Sequence, residues 1–90
     1  MLYDRRMAIT VEEIRAQIRA ALPDADVRVT DTTGGGDHFA ATVVSAAFRG
    51  QSPVDRHRAV YAALGAAMRG PIHALALTTL TPDENERKTP

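Results

Sequence analysis

The stretch that decides the fold runs from His38 to Pro82 and reads HFAATVVSAAFRGQSPVDRHRAVYAALGAAMRGPIHALALTTLTP. Residues 39–45 are aromatic, β-branched or small, and residues 72–80 are mostly apolar, so each segment predicts a strand. A helical segment separates them, and this order favours a right-handed crossover between parallel strands. The stretch therefore predicts a sheet with at least one parallel strand pair.

The segment between these strands carries the signals for both ends of a helix. Ser52 is a favourable N-cap, Pro53 suits the first helical position, and Gly70-Pro71 ends the helix sharply. Apolar side chains at helical spacing predict the face that packs on the sheet. That face consists of Val54, Tyr61, Leu64 and Met68, with Val60 beside them.

Upstream of the stretch, the chain predicts a helix and a β-hairpin. Thr10 and Glu13 have the spacing of a capping box, and Pro23 stops the helix. Between them, apolar side chains recur at helical spacing at Val11, Ile14, Ile18, Ala21 and Leu22. Residues 26–45 then predict a hairpin whose glycine-rich connection, 32–37, we expect to be flexible.

These elements predict one α+β domain with the order α-β-β-α-β-α, in which helices lie on one face of a three-stranded mixed sheet. The last helix begins at Thr81-Pro82. We assign residues 1–8 to a flexible N-terminal leader, residues 9–85 to the domain and residues 86–90 to a C-terminal tail.

The composition of the 90-residue chain excludes several classes of protein. Its hydrophobic content of 44% is typical of a globular domain, and its formal net charge of zero provides no long-range field for nucleic acid. No apolar run is long enough to span a membrane, and Arg5 and Arg6 precede no signal-peptide pattern, so we expect a cytoplasmic protein. Cysteine is absent, so any metal ligand from this chain must be His, Asp or Glu.

His73 is the strongest candidate for chemistry. It follows the Gly70-Pro71 break near the start of the predicted strand 72–80, where a side chain can reach solvent. A neutral imidazole in that position can bind iron or zinc. The alternative, judged from the residues alone, is a half-buried histidine bonded to the backbone.

The three successive glycines at 34–36 have two interpretations. They superficially resemble a phosphate-binding loop, but the Lys-Ser/Thr pair is missing and a strand follows instead of a helix. We interpret them as a permissive hairpin loop, whose mobility would let Asp37 and His38 adjust to a partner.

A basic group lies around the turn and the helix in the middle of the stretch. It consists of Arg49, Gly50, Arg56, His57 and Arg58. These side chains could bind phosphates as part of a surface like a helix-turn-helix, or could form a solvated helix face that Asp55 partly neutralises. At zero net charge, phosphate contacts alone would give weak, salt-sensitive binding.

We do not expect an enzyme. Ser45, Ser52 and the histidines could be combined into a nucleophile and a base, but no nucleophile elbow is present and no paired carboxylates flank a cleft. A domain of this size also leaves little room for a closed active site.

Four short motifs occur in a fixed order along the stretch. They are HF at 38–39, F-x-G at 48–50, RHR-x-V-Y at 56–61 and IHALAL at 72–77. With these motifs, the chain from about Thr10 to Glu84 resembles the BolA family. The resemblance implies the BolA-like fold, a class II KH-like domain, which agrees with the predicted order of elements.

The resemblance also implies a partner and a cofactor. BolA-like proteins pair with monothiol glutaredoxins, and the heterodimer can share a 2Fe-2S cluster to which the glutaredoxin and its glutathione supply thiolates. The resemblance implies that His73 is the cluster ligand from this chain and that Asp37, His38 and His73 lie at the surface that contacts the partner. The isolated chain would bind no cluster and would be a monomer or a weak homodimer.

The chain departs from the family pattern at two places. The second ligand in the family is a Cys or His of the first hairpin loop, but Gly35 occupies the cysteine position, which leaves His38, Asp37 or solvent to fill that role. Residues 81–85 read TPDEN where many relatives have TPEEW, so we expect the last helix to dock less firmly.

Members of the family are also described as DNA-binding transcriptional regulators of the stress response and cell shape. By resemblance, the surface for double-stranded DNA would be the basic group. This function is the alternative to that of a non-enzymatic adaptor in iron–sulfur cluster trafficking, which would bind a monothiol glutaredoxin and supply His73 to the shared cluster.

Overall fold

The computed structural model describes residues 8–88 of the chain. Its helices and strands, in chain order, are α1 (Val11–Ala21), β1 (Asp26–Asp31), β2 (His38–Val44), α2 (Pro53–Leu64), β3 (Ala74–Leu80) and α3 (Pro82–Lys88). Two short 3-10 helices, Ala46–Phe48 and Gly65–Arg69, precede and follow α2. The predicted order of elements is therefore confirmed.

The three strands form one mixed sheet in the order β1-β2-β3, so β2 is central. β1 and β2 are antiparallel, and their register pairs Asp26 with Val44 and Asp31 with Phe39. β2 and β3 are parallel, and the first residues of the two strands, His38 and Ala74, are partners. This parallel pair is the one that the strand–helix–strand pattern predicts.

One face of the sheet packs against α1 and α2 to form the core. The buried side chains of this core in the strands and the two helices are Val27, Val29, Phe39, Ala41, Val43, Ile14, Ile18, Val60 and Leu64, with Leu75 and Leu77 packed against them. The opposite face carries smaller or polar residues that are exposed or half-buried, such as Thr30, Ala40 and Thr42. α1 and α2 thus lie on one face of the sheet, as predicted.

The buried face of α2 differs from the sequence prediction. Val54 and Tyr61, which the apolar pattern assigns to that face, are 59% and 38% exposed. The face instead follows Arg56, Val60 and Leu64, which are four residues apart and lie on one side of the helix. The prediction was wrong at Val54 and Tyr61 because Arg56, whose side chain is only 12% exposed, lies on the inward side of α2, and both residues lie on the other side of the helix.

The ends of the elements differ from the prediction by small amounts. The capping box of α1 is present, since the Thr10 hydroxyl accepts a hydrogen bond from the Glu13 amide at 3.1 Å. The α-helical part of α2 ends at Leu64, earlier than predicted, and the chain continues as a 3-10 helix to Arg69. β3 begins at Ala74, so His73 lies immediately before the strand and not within it.

The chain termini fall partly outside the described residues. Residues 1–7 and 89–90 are not described, so the leader and the end of the tail lie outside the structure, apart from Ala8. Residues 86–88, assigned to the tail by the sequence, are the last residues of α3. Within residues 8–88, no helix has both the length and the apolar character needed to cross a membrane.

The core packing predicts a large effect of substitution at Phe48, which is fully buried beneath the Arg56 guanidinium. We expect Phe48→Ala to lower the free energy of unfolding by about 3–5 kcal/mol, because it removes a buried aromatic ring and leaves a cavity. Val54→Ala, at an exposed position on α2, is the matched control and should change stability by less than about 0.5 kcal/mol. Urea denaturation measures both, and equal effects of the two substitutions would contradict this description of the core.

Candidate functional site

Two histidines meet at one end of the sheet. Because β2 and β3 are parallel and begin side by side, His38 at the start of β2 and His73 just before β3 lie at the same edge. Their imidazole rings are 4.9 Å apart between centroids and tilted by 49°. The fold therefore brings together two of the residues that the sequence analysis assigned to a metal.

Asp37 binds to both histidines by different groups. Its carboxylate Oδ1 lies 2.9 Å from Nδ1 of His38. Its main-chain carbonyl accepts hydrogen bonds from the amides of His73, at 2.8 Å, and Ala74, at 3.2 Å. We call Asp37, His38 and His73 the histidine edge.

The histidine edge also stabilises the charge on Asp37. The hydrogen bond from His38 is the main cause that holds the pKa of the Asp37 carboxyl below its ordinary value, and the charges of His38 and His73 act in the same direction. The carboxylate is therefore ionised at neutral pH and can only accept hydrogen bonds.

Asp31 organises the glycine loop that leads into this edge. Its carboxylate accepts hydrogen bonds from the amides of Thr33, Gly34 and Gly36 at 3.2, 2.9 and 2.9 Å. Gly34 and Gly36 both have a φ of +78°, a conformation that favours glycine. The loop thus has a defined hydrogen-bonded form in which its amides are already occupied by a carboxylate, which disfavours a phosphate there.

Gly35 lies beside the histidine edge. A Cβ atom built at Gly35 would be 3.3 Å from Oδ1 of Asp37 and 3.3 Å from Oγ1 of Thr33. A side chain at this position would therefore contact Asp37, so a metal ligand at position 35 of the loop would lie beside the histidine edge.

The histidine edge offers two accessible imidazoles. The His38 side chain is 38% exposed and His73 is exposed, so both imidazoles are accessible to another molecule. Imidazole nitrogen is a ligand for iron, zinc and copper. Among residues 8–88, however, no group of three or more His, Cys, Asp or Glu side chains could hold a metal ion.

The basic group is divided by the fold. The Arg56 guanidinium makes a bidentate ion pair with the Glu84 carboxylate, at 2.7 and 3.3 Å. Its Nε also donates a hydrogen bond to the Gln51 carbonyl at 3.0 Å. It also lies 5.9 Å from the centroid of the Phe48 ring. These interactions attach α3 to the start of α2, so Arg56 is a structural residue whose charge is already paired.

The other members of the basic group remain near the surface. Arg49 and Arg58 have side chains that are 56% and 76% exposed, in ion pairs with Asp83 at 3.6 Å and Asp55 at 3.8 Å. His57 is half-buried with its ring edge-on to Tyr61. Gly50 has a φ of +77°, so its role is to form the turn before α2. Two arginines of this group thus keep most of their side-chain surface exposed.

Glu84 forms a capping box with Thr81 at the start of α3 and also pairs with Arg56 of α2. The Thr81 amide donates to Oε1 of Glu84 at 2.9 Å, and the Glu84 amide donates to the Thr81 hydroxyl at 3.2 Å. The hydrogen bond from Arg56, followed by the one from Thr81, lowers the pKa of the Glu84 carboxyl from 4.5 to about 2. Although none of its residues is buried, α3 is held to the domain by these polar interactions.

Comparison with known proteins assigns the family. A sequence model of the BolA-like proteins matches residues 10–84. The chain belongs to the BolA family. A structure of a BolA homologue from Coxiella burnetii is 46% identical, superposes with a TM-score of 0.71, and covers 88% of this chain and 99% of that one. The α+β BolA fold that the resemblance implies is thereby confirmed.

Two curated BolA relatives have informative names. BolA-like protein 1 of Mus musculus is 40% identical over 76 aligned positions, which cover 77% of this chain and 56% of the mouse protein. The DNA-binding transcriptional regulator BolA of Escherichia coli is 34% identical over 82 positions, which cover 83% of this chain and 78% of the regulator. The chain thus spans only a little more than half the length of the mouse relative.

Two acidic residues with structural roles in this BolA domain were not identified from the sequence. Asp31 carries a recognisable local signal, because an aspartate just before a Thr-Thr-Gly sequence is typical of a turn in which the side chain binds the following amides. Glu84 carries a local capping signal with Thr81, but its pairing with Arg56 joins residues 28 positions apart and has no local pattern.

The Glu84 interactions predict a defined dependence of stability on pH. Because the pKa of Glu84 is lowered from 4.5 to about 2 in the folded protein, its contribution is complete above pH 4.5 and is lost as the pH falls toward 2. We expect Glu84→Gln to be less stable than the wild type at neutral pH, and the difference to narrow as the pH falls through that window. Urea denaturation across the pH range measures this, with Glu86→Gln on the exposed side of α3 as control. A difference that stays constant with pH would contradict the role of Glu84.

Proposed function

We propose that this chain is a non-enzymatic adaptor that binds a monothiol glutaredoxin and supplies a histidine ligand to a shared 2Fe-2S cluster. The observation that supports this most strongly is the convergence of His38 and His73 at an exposed edge, with ring centroids 4.9 Å apart. Membership of the BolA family supports the same class of function.

The donor set of the histidine edge fits such a cluster only in part. Iron–sulfur clusters bind thiolates, and imidazoles replace two of the thiolates in some centres. This chain has no cysteine and offers imidazoles instead, so a partner would have to contribute the sulfur ligands. A cluster at this edge would therefore belong to both molecules, and when bound it would provide the electron-transfer or cluster-transfer chemistry.

The two histidines have different roles in this proposal. His73 is the principal ligand, since it is exposed and its amide is fixed by the Asp37 carbonyl at 2.8 Å. His38 is the second candidate, because its ring lies next to that of His73 and Nδ1 is directed at Asp37. Asp37 and the exposed faces of both rings would form part of the surface against the glutaredoxin.

The proposal predicts a spectroscopic change on mixing. When the chain is added to a cluster-loaded monothiol glutaredoxin, the visible absorption and circular dichroism of the cluster should change, because an imidazole replaces another ligand. His73→Ala should abolish the change, and His38→Ala should reduce it or alter its shape. His57→Ala removes a histidine of α2 that faces Tyr61, and this control should behave like the wild type.

An unchanged cluster spectrum with the wild-type chain would overturn the adaptor proposal. If the spectral change persists in His73→Ala and is lost in His38→Ala, the adaptor proposal stands and His38, not His73, is the principal ligand.

A second candidate function is that of a DNA-binding regulator. It is favoured by the name of the Escherichia coli relative, which is a DNA-binding transcriptional regulator. On this chain, Arg49 and Arg58 are the members of the basic group with the most exposed side chains, and each is held only by a long ion pair. Exposed pairs of this kind contribute little to stability, so both arginines can exchange a carboxylate for a phosphate.

The DNA hypothesis predicts binding that depends on these two arginines. Arg49→Ala with Arg58→Ala should weaken binding to duplex DNA and reduce its salt dependence by about one unit of slope for each phosphate that the variant no longer binds. Arg28→Ala, at an exposed arginine on β1, is the matched control. Arg56→Ala is unsuitable as a test because it also releases α3. Fluorescence anisotropy at several salt concentrations would reject this surface if the double variant binds like the wild type.

A further inference from the structure

The carboxylate of Asp37 is positioned to select which nitrogen of His38 is free. A neutral imidazole carries one proton, on either Nδ1 or Nε2, and only the other nitrogen can bind a metal. The carboxylate Oδ1 is 2.9 Å from Nδ1 of His38 and can only accept a hydrogen bond when ionised. The contact therefore requires the proton on Nδ1.

From this geometry we infer that Asp37 is a positioning residue that holds neutral His38 as its Nδ1–H tautomer and so presents Nε2 as the ligand nitrogen. Carboxylates that bind the second nitrogen of a metal-binding histidine fix its tautomer and ring orientation in many metalloproteins. The inference rests on the proposed function, in which His38 is a candidate ligand, but the tautomer itself is a property of the free chain.

The main-chain carbonyl and the side-chain carboxylate of Asp37 have separate roles, so a substitution can remove the carboxylate alone. The Asp37 carbonyl accepts hydrogen bonds from the His73 and Ala74 amides, as part of the start of the parallel strand pair. A side-chain substitution leaves that carbonyl in place. The Asp37 side chain is 49% exposed, so its removal leaves the core intact. The carboxylate can thus be removed while both histidines keep their backbone positions.

His73 is held in a different way from His38. The His73 backbone is fixed by the Asp37 carbonyl, and its ring packs against that of His38. The tautomer of His38 is therefore the one that the Asp37 carboxylate controls directly, and the tautomer of His57, on α2, serves as an internal reference.

The test is long-range ¹H–¹⁵N correlation NMR of the histidine rings in the full chain. The spectra are recorded about two pH units above the ordinary histidine pKa of about 6.5, because a tautomer is defined only for a neutral ring. In the wild type we expect Nδ1 of His38 to have the ¹⁵N chemical shift of a protonated ring nitrogen and Nε2 that of an unprotonated one. In Asp37→Ala we expect the two resonances to shift toward each other, or to exchange positions, as the Nε2–H form gains population.

The control variant is Asp26→Ala, which removes an exposed aspartate at the opposite end of β1 and should leave the His38 pattern unchanged. Asp37→Asn is the second variant if Asp37→Ala does not fold, since an amide can pair with either tautomer and should give a mixture. An Nε2–H pattern for His38 in the wild type, or the same pattern in the wild type and in the folded Asp37 variants, would overturn the inference.

The result is separable from that of the glutaredoxin experiment. If the free chain shows the Asp37-dependent tautomer but the spectrum of cluster-loaded glutaredoxin does not change when the chain is added, the adaptor proposal fails and the positioning role stands. If the cluster spectrum responds to the wild type but the tautomer is independent of Asp37, the positioning role fails and the adaptor proposal stands.

Discussion

The parallel pairing of β2 with β3 is the constraint on which the rest of the structure depends. Its register places His38 opposite Ala74, so the residues that precede and begin the two strands meet at one edge. The Asp37 carbonyl starts this pairing by accepting hydrogen bonds from the amides of His73 and Ala74. A shift by one residue would turn the buried side chains of a strand to the opposite face, so the core that contains Phe39 and Leu75 fixes the same register as the histidine edge.

Polar interactions join elements of the domain at the other end of the sheet. Asp24 accepts hydrogen bonds from the Ser45 hydroxyl at 2.8 Å and the Ala46 amide at 2.9 Å, and the ion pair between Arg56 and Glu84 attaches α3. Arg56 is the inward residue of the first turns of α2, and its guanidinium lies over the ring of Phe48, 5.9 Å from the centroid.

The sequence was sufficient for features that depend on local patterns. The order of elements, the capping box at Thr10, the N-cap at Ser52 and the crossover between parallel strands follow from residue types at fixed spacing. The position of His73 after a Gly-Pro break also indicated an exposed imidazole. The inward face of α2 could not be predicted, because the partner that neutralises Arg56 is 28 residues away and an unpaired arginine would not be assigned to a core. The hydrogen bond between Asp37 and His38 depends on side-chain rotamers and on the loop conformation that Asp31 stabilises, and periodicity carries no information on either.

The direction of β3 has a practical consequence for work with this protein. Its first residue adjoins the histidine edge, and its last, Leu80, leads into α3 at the far end of the sheet. Seven residues in extended conformation separate these ends by about 20 Å. The start of α3 therefore lies well away from the two imidazoles, whereas a probe attached at Gly35 in the glycine loop would lie beside Asp37 and the histidine edge.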